Sequence, residues 1–323
     1  MARDRRGWAF YQLPEGTSVS NEAMILVDLT DHGNNGISAL IRWKKNGKAS
    51  IPPCPSKCPH VPEALFYSYK DGMRIVGMEF MPNLTAMESF LDFGVDAQMP
   101  KPLFPPNASD AEIVSGRFAE SLIVQLFVVV AFIQYLEWSF IDLNYRNANV
   151  DRENWKFVLV DFGSACRIMK PDGTLMETTI ESFTPLYSAP EMSLDSYHPK
   201  FVDAYAAAVM AVEIWTGVPF HNNVKVPILP VANAEKLRAD GLRRLKCKSR
   251  AIPSLLVDRM PRMPQALPEF LEKCFSTKPE MRPSWKDIVT NPFISMGIRR
   301  HLLNTDLDPH LYWPELGQLL PRV

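Results

Sequence analysis

An ordered series of short polar motifs between apolar runs constrains the fold of this chain more than any other feature. The sharpest is an apolar strand that ends in a carboxylate, an aromatic ring and a flexible glycine, Val158-Leu159-Val160-Asp161-Phe162-Gly163. The other motifs, in chain order, are Asp142-Leu143-Asn144-Tyr145-Arg146-Asn147, Ala189-Pro190-Glu191, Asp203 and Arg282. Each of them alone occurs by chance, but the set in this order and at this spacing does not.

The composition is that of an ordinary globular protein. Hydrophobic residues make up 46% of the 323 positions and charged residues 22%, whereas a disordered chain is poorer in apolar residues. The formal net charge of −1 gives no signal for nucleic acid or an anionic membrane. The odd number and wide scatter of the five cysteines argue against a disulfide framework, which favours a reducing compartment. No apolar run of signal-peptide length follows Met1, so a cytoplasmic or nuclear location is expected if Met1 is the true start.

Residues 1–81 are predicted to form a small β-rich part. Apolar runs at 23–28 and 37–43 flank an Asn- and Gly-rich turn, and runs at 64–69 and 73–80 flank a second turn. Both patterns are typical of β-hairpins, since Asn and Gly tolerate positive φ. The five prolines between Lys48 and Pro62 exclude a helix of useful length in that stretch.

Residues 82–300 are predicted to form a larger helical part, and residues 301–323 a C-terminal tail. A long helix is expected from Ser115 to Trp138. Its apolar half contains Gln125 and Gln134 and is shorter than the ~20 residues of a membrane span, which favours a buried helix. The Pro-rich stretch at 100–110 is expected to be a surface loop. The chain as a whole is therefore predicted to have an α+β fold.

From about Met73 to Ile294 the chain resembles the eukaryotic protein kinase family. The resemblance implies a bilobal fold, with a small β-rich N-lobe and a larger helical C-lobe, and it implies ATP and Mg²⁺ as cofactors. Phosphoryl transfer needs metal-held phosphates, an in-line hydroxyl and an acceptor for its proton. The resemblance makes Asp142 that catalytic base, and it makes Asn147 and Asp161 the oxygen ligands of Mg²⁺.

The same resemblance assigns structural roles around these groups. Glu191 is expected to form an ion pair with Arg282, and Asp203 is expected to anchor the catalytic loop from the start of a buried helix. The residues given structural roles are Phe162, Gly163, Thr184, Glu191, Asp203 and Arg282.

For the nucleotide, the resemblance points to a hinge at 79–81 that would hydrogen-bond adenine. Asn149 stands where the family has an apolar floor beneath adenine. It also competes with Asn147 as a metal ligand, because the interval from Asn147 to Asp161 is slightly longer than usual. The cofactor-binding candidates are Arg42, Glu79, Met81 and Asn149.

The nucleotide clamp departs from the family pattern. Gly16 is the only glycine between Trp8 and the first turn, so the Gly-rich phosphate loop is missing. The best match to the family's lysine strand is Ala39-Leu40-Ile41-Arg42, and Arg42 keeps the charge of lysine without its donor geometry. Lys44 or Lys45 replaces it if the register differs. The Pro-rich segment at 48–62 takes the place of the regulatory helix.

The residues just before Asp142 depart from the family pattern as well. Phe140-Ile141 replaces the His-Arg pair before the catalytic Asp, and the ring of Phe140 can fill a core position. Ile141 removes the arginine that would recognise a phosphorylated activation segment. Thr178, Thr179 and Ser182 are therefore weak candidates for a phosphorylation switch.

Two functions remain open at this point. One is an ATP- and Mg²⁺-dependent protein kinase with an atypical nucleotide clamp, and the other is a pseudokinase that binds a protein partner as a scaffold or regulator. Thr184 before Pro185 matches serine/threonine kinases, whereas Asn144 replaces their lysine and the loop partly resembles that of tyrosine kinases; serine/threonine specificity is favoured. A protein substrate or partner is expected in either case, and the oligomeric state is left open.

Two weaker features complete the sequence. Cys54, Cys58 and His60 are of the residue types that bind Zn²⁺, but a fourth ligand is missing and a Pro-rich loop with incidental thiols is favoured. The insert at 91–110 lies between the hinge and the long helix, and the sequence assigns it no role beyond that of a candidate partner loop.

Overall fold

The computed structural model describes a β-rich N-terminal part in pieces and most of the helical part. The described residues are 2–3, 9–12, 48–50, 58–62, 64–70, 73–78, 81, 83–91, 103–105, 108–109, 115–170, 172–178, 184, 186–194, 196–217, 219–220 and 263–321. The hairpin predicted between residues 23 and 43 lies outside them.

A five-stranded antiparallel sheet forms the N-terminal part. Its strands lie in the order β1-β2-β5-β4-β3. The predicted second hairpin is present, since β4 and β5 pair from Ala64 with Met78 to Lys70 with Met73. The strands are β1 Ala2–Arg3, β2 Ala9–Gln12, β3 Lys48–Ser50, β4 Ala64–Lys70 and β5 Met73–Met78.

Two smaller sheets carry the motif residues at their ends. The three-stranded sheet has the order β6-β8-β9, and the two-stranded sheet pairs β7 with β10. The Asp142 motif lies between β7 and β8, and the Asp161 motif lies between β9 and β10. The strands are β6 Leu84–Ala86, β7 Trp138–Ser139, β8 Ala148–Asp151, β9 Lys156–Leu159 and β10 Cys166–Arg167.

Helix α1 runs through the core of the larger part. It spans Arg117–Tyr135, shorter than predicted, because the chain turns at 136–137 and Trp138 enters β7. The helix is long and apolar enough to cross a membrane, but its side chains from 122 to 134 are buried against the rest of the protein. The other α-helices among the described residues are α2 Val202–Thr216, α3 Ala266–Cys274, α4 Trp285–Thr290, α5 Pro292–Gly297 and α6 Leu316–Leu319.

The C-terminal segment packs into the core of the helical part. Trp313 is fully buried, and its ring centroid lies 5.4 Å from that of Phe132 on α1 and 5.6 Å from that of Trp285 on α4. Asp308 caps the turn that follows it by accepting a hydrogen bond from the His310 N–H at 3.0 Å. The segment predicted to be a C-terminal tail thus contributes to the hydrophobic core.

Part of the predicted surface loop is buried rather than exposed. Leu103 packs into the core with 4% of its surface exposed, and its N–H donates to the Ile214 carbonyl on α2 at 2.9 Å. The prolines around it exclude a helix but do not prevent an apolar side chain from docking.

The end of α5 lies so close to α1 that a side chain at Gly297 would overlap Val124. We expect Gly297→Ala to lower the free energy of unfolding by about 1–3 kcal/mol, the usual range for overpacking. Gly317→Ala in α6 is the matched control, because the nearest atom to the added Cβ is 3.9 Å away on His310. Urea unfolding measures both variants. Equal stability of the two would contradict this close helix approach.

Candidate active site

A buried carboxylate on α2 holds the loop that carries Asp142. Asp203 is 1% exposed and accepts hydrogen bonds from the Phe140 N–H at 2.7 Å and the Ile141 N–H at 2.9 Å. Its carboxylate also accepts from the Ser139 hydroxyl at 2.9 Å. Burial raises the pKa of Asp203 to about 6, and these three hydrogen bonds oppose that rise. The anchor that the family resemblance implied is therefore present.

The anchored loop contains a strained backbone. Ile141 has φ +70°, a left-handed conformation that β-branched residues rarely adopt. Such a residue costs about 1–3 kcal/mol and persists only when its surroundings hold it. The Asp203 carboxylate stabilises this conformation by accepting a hydrogen bond from the Ile141 N–H. Phe140 packs edge-on against Phe162, with ring centroids 4.9 Å apart, and so fills the predicted core position.

The carboxylate of Asp142 is half-buried and hydrogen-bonded on both oxygens. Its Oδ1 accepts from the Thr184 hydroxyl at 2.8 Å, and its Oδ2 accepts from the Asn147 side-chain amide at 3.1 Å. Burial raises the pKa of Asp142, and hydrogen bonds from Thr184, Asn144 and Asn147 oppose the shift. A proton acceptor with a raised pKa suits general base chemistry near neutral pH.

Asn147 and Asp161 approach each other through the β8–β9 pair. The Val160 N–H donates to the Asn147 carbonyl at 2.9 Å, so Asn147 lies opposite the residue that precedes Asp161. The side-chain NH₂ of Asn147 donates two hydrogen bonds to Asp142, one to its backbone carbonyl at 2.9 Å and one to its carboxylate at 3.1 Å. The Asn147 Oδ1 is left as an acceptor, which is the kind of atom that binds Mg²⁺.

Asp161 is exposed and has a left-handed backbone, with φ +65°. Its Oδ1 accepts from the Gly163 N–H at 3.3 Å, and a Cβ on Gly163 would lie 3.2 Å from the same oxygen. Glycine therefore leaves room for the carboxylate. Phe162 between them is 1% exposed and fixes the turn to the core.

The nucleotide candidates are only partly described. Asn149 pairs with Val158 in the β8–β9 ladder, further along the strands from Asp161 than Asn147 is. Met81 is half-buried at the junction between the two parts of the chain. Arg42 and Glu79 lie outside the described residues.

Asn144 also lies in the candidate site, although the sequence alone did not predict it there. Its side-chain amide donates to the Asp142 carbonyl at 2.8 Å and to the Thr184 hydroxyl at 3.3 Å. Its Oδ1 accepts from the N–H groups of Arg146 at 2.9 Å and Asn147 at 3.3 Å. The local signal is an Asn two residues after Asp142, a position from which Asn stabilises a turn.

Backbone pairing holds the described parts of the segment that follows Asp161. β10 pairs with β7, and Thr178 exchanges two hydrogen bonds of 3.0 Å with Tyr197. His198 Nδ1 lies 2.9 Å from the Met176 carbonyl. Thr179 and Ser182 lie outside the described residues.

A bidentate ion pair closes the segment at its far end. Arg282 donates to the two carboxylate oxygens of Glu191, from Nη1 at 2.6 Å and from Nη2 at 2.7 Å. Its Nε donates to the Ser276 carbonyl at 2.8 Å, and its guanidinium lies 5.2 Å from the ring centroid of Tyr205. The ion pair implied by the resemblance is thus present and almost fully buried.

Cys58 and His60, which the sequence offers as candidate Zn²⁺ ligands, pack in the protein interior. Cys58 and His60 are fully buried, and His60 Nδ1 lies 2.9 Å from the Phe157 carbonyl. Burial lowers the pKa of His60 to about 4, so the ring is neutral. Among the residues that the structure describes, no group of three or more His, Cys, Asp or Glu could hold a metal ion. Cys54 lies outside them.

Comparison with known protein families gives a match in the part of the chain that carries these motifs. Residues 95–294 match the family model of the protein kinase domain, which covers more than half of the chain. The matched range contains the Asp142, Asp161, Glu191 and Arg282 motifs described above.

Breaking the buried ion pair on one side is expected to destabilise the protein strongly. Glu191→Gln should lower the free energy of unfolding by about 3–5 kcal/mol, because the Arg282 charge stays buried without a counter-charge. The control is Glu88→Gln, which removes the carboxylate 3.7 Å from Arg146, where the two side chains are 43% and 71% exposed. That change should cost less than about 1 kcal/mol. Similar losses in the two variants by urea unfolding would contradict this ranking.

Proposed function

Because the chain belongs to the protein kinase family, we propose that it transfers a phosphoryl group from ATP to a serine or threonine hydroxyl of a protein substrate. The observation that carries this proposal is the hydrogen-bonded group of Asp142, Asn147 and Thr184. It joins a proton acceptor, a candidate metal ligand and the segment that precedes Glu191 in one network.

Asp142 is the proposed base. Hydrogen bonds on both carboxylate oxygens hold the group in one orientation, and each oxygen keeps a further lone pair for a substrate hydroxyl. Burial destabilises the ionised carboxylate and so raises its pKa. A carboxylate with a raised pKa is a stronger proton acceptor. The role of the residue is to accept the hydroxyl proton and to align the attacking oxygen.

Asn147 and Asp161 are the proposed ligands of Mg²⁺. The Asn147 amide protons are committed to Asp142, which leaves its Oδ1 for a cation, and Asp161 is exposed with a carboxylate. These are hard oxygen donors, the kind that Mg²⁺ takes. When bound, Mg²⁺ and ATP supply the transferable phosphoryl group and neutralise its negative charge. Arg42, Glu79, Met81 and Asn149 are proposed to contact the nucleotide.

Thr184 supports serine/threonine specificity within this proposal. Its hydroxyl donates a hydrogen bond to the Asp142 carboxylate. This bond connects the proposed base to the segment that precedes Glu191, which a substrate would approach. A protein substrate is proposed because the family acts on proteins.

A pseudokinase that binds a protein partner is the second candidate. The observation that favours it is in the sequence: Gly16 is the only glycine between Trp8 and the first turn, so the Gly-rich phosphate loop is missing. Phosphoryl transfer needs positive charge at the phosphates, and Arg42 and the neighbouring lysines are the sequence candidates for it.

Thermal unfolding with ATP and Mg²⁺, followed by a radiolabel transfer assay, separates the two candidates. Wild-type protein should gain a few degrees in Tm at millimolar ATP, because a ligand that binds the folded state stabilises it. Asp161→Asn should lose that gain. Asp142→Asn should keep it, but phosphoryl transfer should fall about 10²–10⁴-fold, the usual contribution of a general base.

Asp306→Asn is the matched control, since Asp306 is an exposed carboxylate in the C-terminal segment. It should change neither the gain in Tm nor the transfer rate. If wild-type protein shows no change in Tm at millimolar ATP, the kinase proposal fails and the pseudokinase candidate stands.

A further inference from the structure

A histidine in the C-terminal segment lies between two oxygen atoms. His310 Nδ1 is 2.8 Å from the Oδ1 of Asp308, and its Nε2 is 2.7 Å from the Leu320 carbonyl oxygen. The side chains of His310 and Asp308 are 7% and 1% exposed. The ring therefore joins the turn at 308–311 to the end of helix α6 inside the protein.

The two partners of this ring decide which of its forms fits. A carbonyl oxygen and an ionised carboxylate can only accept hydrogen bonds. A neutral imidazole has one N–H group, so it satisfies one of the two oxygens and turns a nitrogen lone pair towards the other. The charged ring has two N–H groups and satisfies both. The geometry at His310 is thus that of an imidazolium ring.

The carboxylate of Asp308 stays ionised where histidine titrates. Burial raises the pKa of Asp308, but hydrogen bonds from the ring and the N–H of His310 and from the N–H of Asn304 outweigh burial and lower it. The contact between the ring and Asp308 is therefore a charged pair whenever the ring carries both protons.

The other elements around the ring bring groups that do not titrate with it. Helix α6 places the Leu320 carbonyl and Gly317 against the ring. The hydroxyl of Tyr312, the nearest ionisable side chain after His310 in the chain, lies beside the Cys58 thiol. The titrating contact that the structure describes at this ring is thus the one with Asp308.

The segment that the ring closes covers residues 58–60. The Tyr312 ring is 1% exposed, and its centroid lies 5.2 Å from that of Phe132 on α1 and 6.4 Å from that of His60. The His60 carbonyl accepts from the Leu159 N–H at 2.8 Å, so residues 58–60 in turn lie against β9. The C-terminal segment follows the range that matches the kinase domain, 95–294.

We propose that His310 is a proton-dependent latch that closes the C-terminal segment over residues 58–60. With the ring charged, both hydrogen bonds form and helix α6 is held to the turn at 308–311. Loss of one proton leaves a nitrogen lone pair against an oxygen, so the segment opens from its Leu320 end. The stability that the latch contributes is present while the ring is charged and is lost as the pH rises and the ring becomes neutral.

Amide hydrogen exchange on the full chain without nucleotide tests the latch. It is measured at about pH 5 and about pH 8, because histidine changes its charge between these values. Protection is expressed relative to the intrinsic exchange rate at each pH, and it reports local opening. Protection at 316–320 should fall about tenfold at the higher pH, since a buried acceptor loses its donor. Protection at 126–130 in α1 should not change.

Histidine variants assign this response to one ring. His310→Gln should give equal protection at 316–320 at the two pH values, because glutamine does not titrate. His198→Gln is the matched control, since His198 Nδ1 also lies 2.9 Å from a carbonyl, that of Met176, on the exposed surface. His301→Gln removes the other histidine of the segment, whose Nε2 is 3.3 Å from Glu120 Oε1. Both of these variants should keep the wild-type response.

Alkylation of Cys58 shows whether the opening reaches residues 58–60. The thiol is fully buried, and burial raises its pKa to about 12. Cys274 on α3 is equally buried and serves as the internal reference for the effect of pH on thiols. The ratio of Cys58 to Cys274 labelling, read by mass spectrometry, should rise between the two pH values in wild-type protein and stay constant in His310→Gln.

Three results would overturn the proposal. They are equal protection at 316–320 at the two pH values in wild-type protein, a full pH response in a folded His310→Gln, and a constant ratio of Cys58 to Cys274 labelling in wild-type protein. If His310→Gln does not fold, His198→Gln and His301→Gln decide. A response that disappears in either of them contradicts the latch at His310, and one that persists in both supports it.

Discussion

The buried carboxylate of Asp203 is the interaction on which the rest of the site depends. A carboxylate removed from water is unfavourable unless hydrogen bonds replace its hydration. Asp203 obtains them from the backbone of 140–141 and from Ser139, and in return it holds Ile141 in a conformation that this residue type rarely adopts. Helix α2 is buried on all sides, so the loop is fixed to an element that is wholly inside the core.

From this anchor, hydrogen bonds connect the loop to the segment that ends at Glu191. The loop presents Asp142, Asp142 bonds to Thr184, and the segment from Thr184 ends at the Glu191–Arg282 ion pair. Along the described part of this route, the Glu191–Arg282 charge pair is almost fully buried. The described contacts of the Asp142 side chain come from a neutral amide and a hydroxyl.

The sequence predicted the parts of the site that lie in local motifs. Asp142, Asn147 and Asp161 were placed by spacing and by the family resemblance, which also gave the Glu191–Arg282 pair. Asn144 was missed as a site residue because its decisive bond joins it to Thr184, and nothing in a local pattern shows a contact 40 residues away.

The fold was predictable to a similar degree. The β4–β5 hairpin and the long helix α1 follow from alternation and from a continuous apolar run, but the helix was drawn too long because Trp138 reads equally well as helix or strand. The role of Trp313 in the core was not predictable, because aromatic residues in a short terminal segment have no periodicity that reveals their partners.

The proposed function requires that Asn147 and Asp161 together bind a metal ion beside the anchored loop. Anomalous diffraction from crystals grown with Mn²⁺ and a non-hydrolysable ATP analogue tests it most directly. We expect a manganese peak within coordination distance of the Asn147 Oδ1 and the Asp161 carboxylate. A peak on Asn149 in place of Asn147, or bound nucleotide with no metal at Asp161, would contradict it.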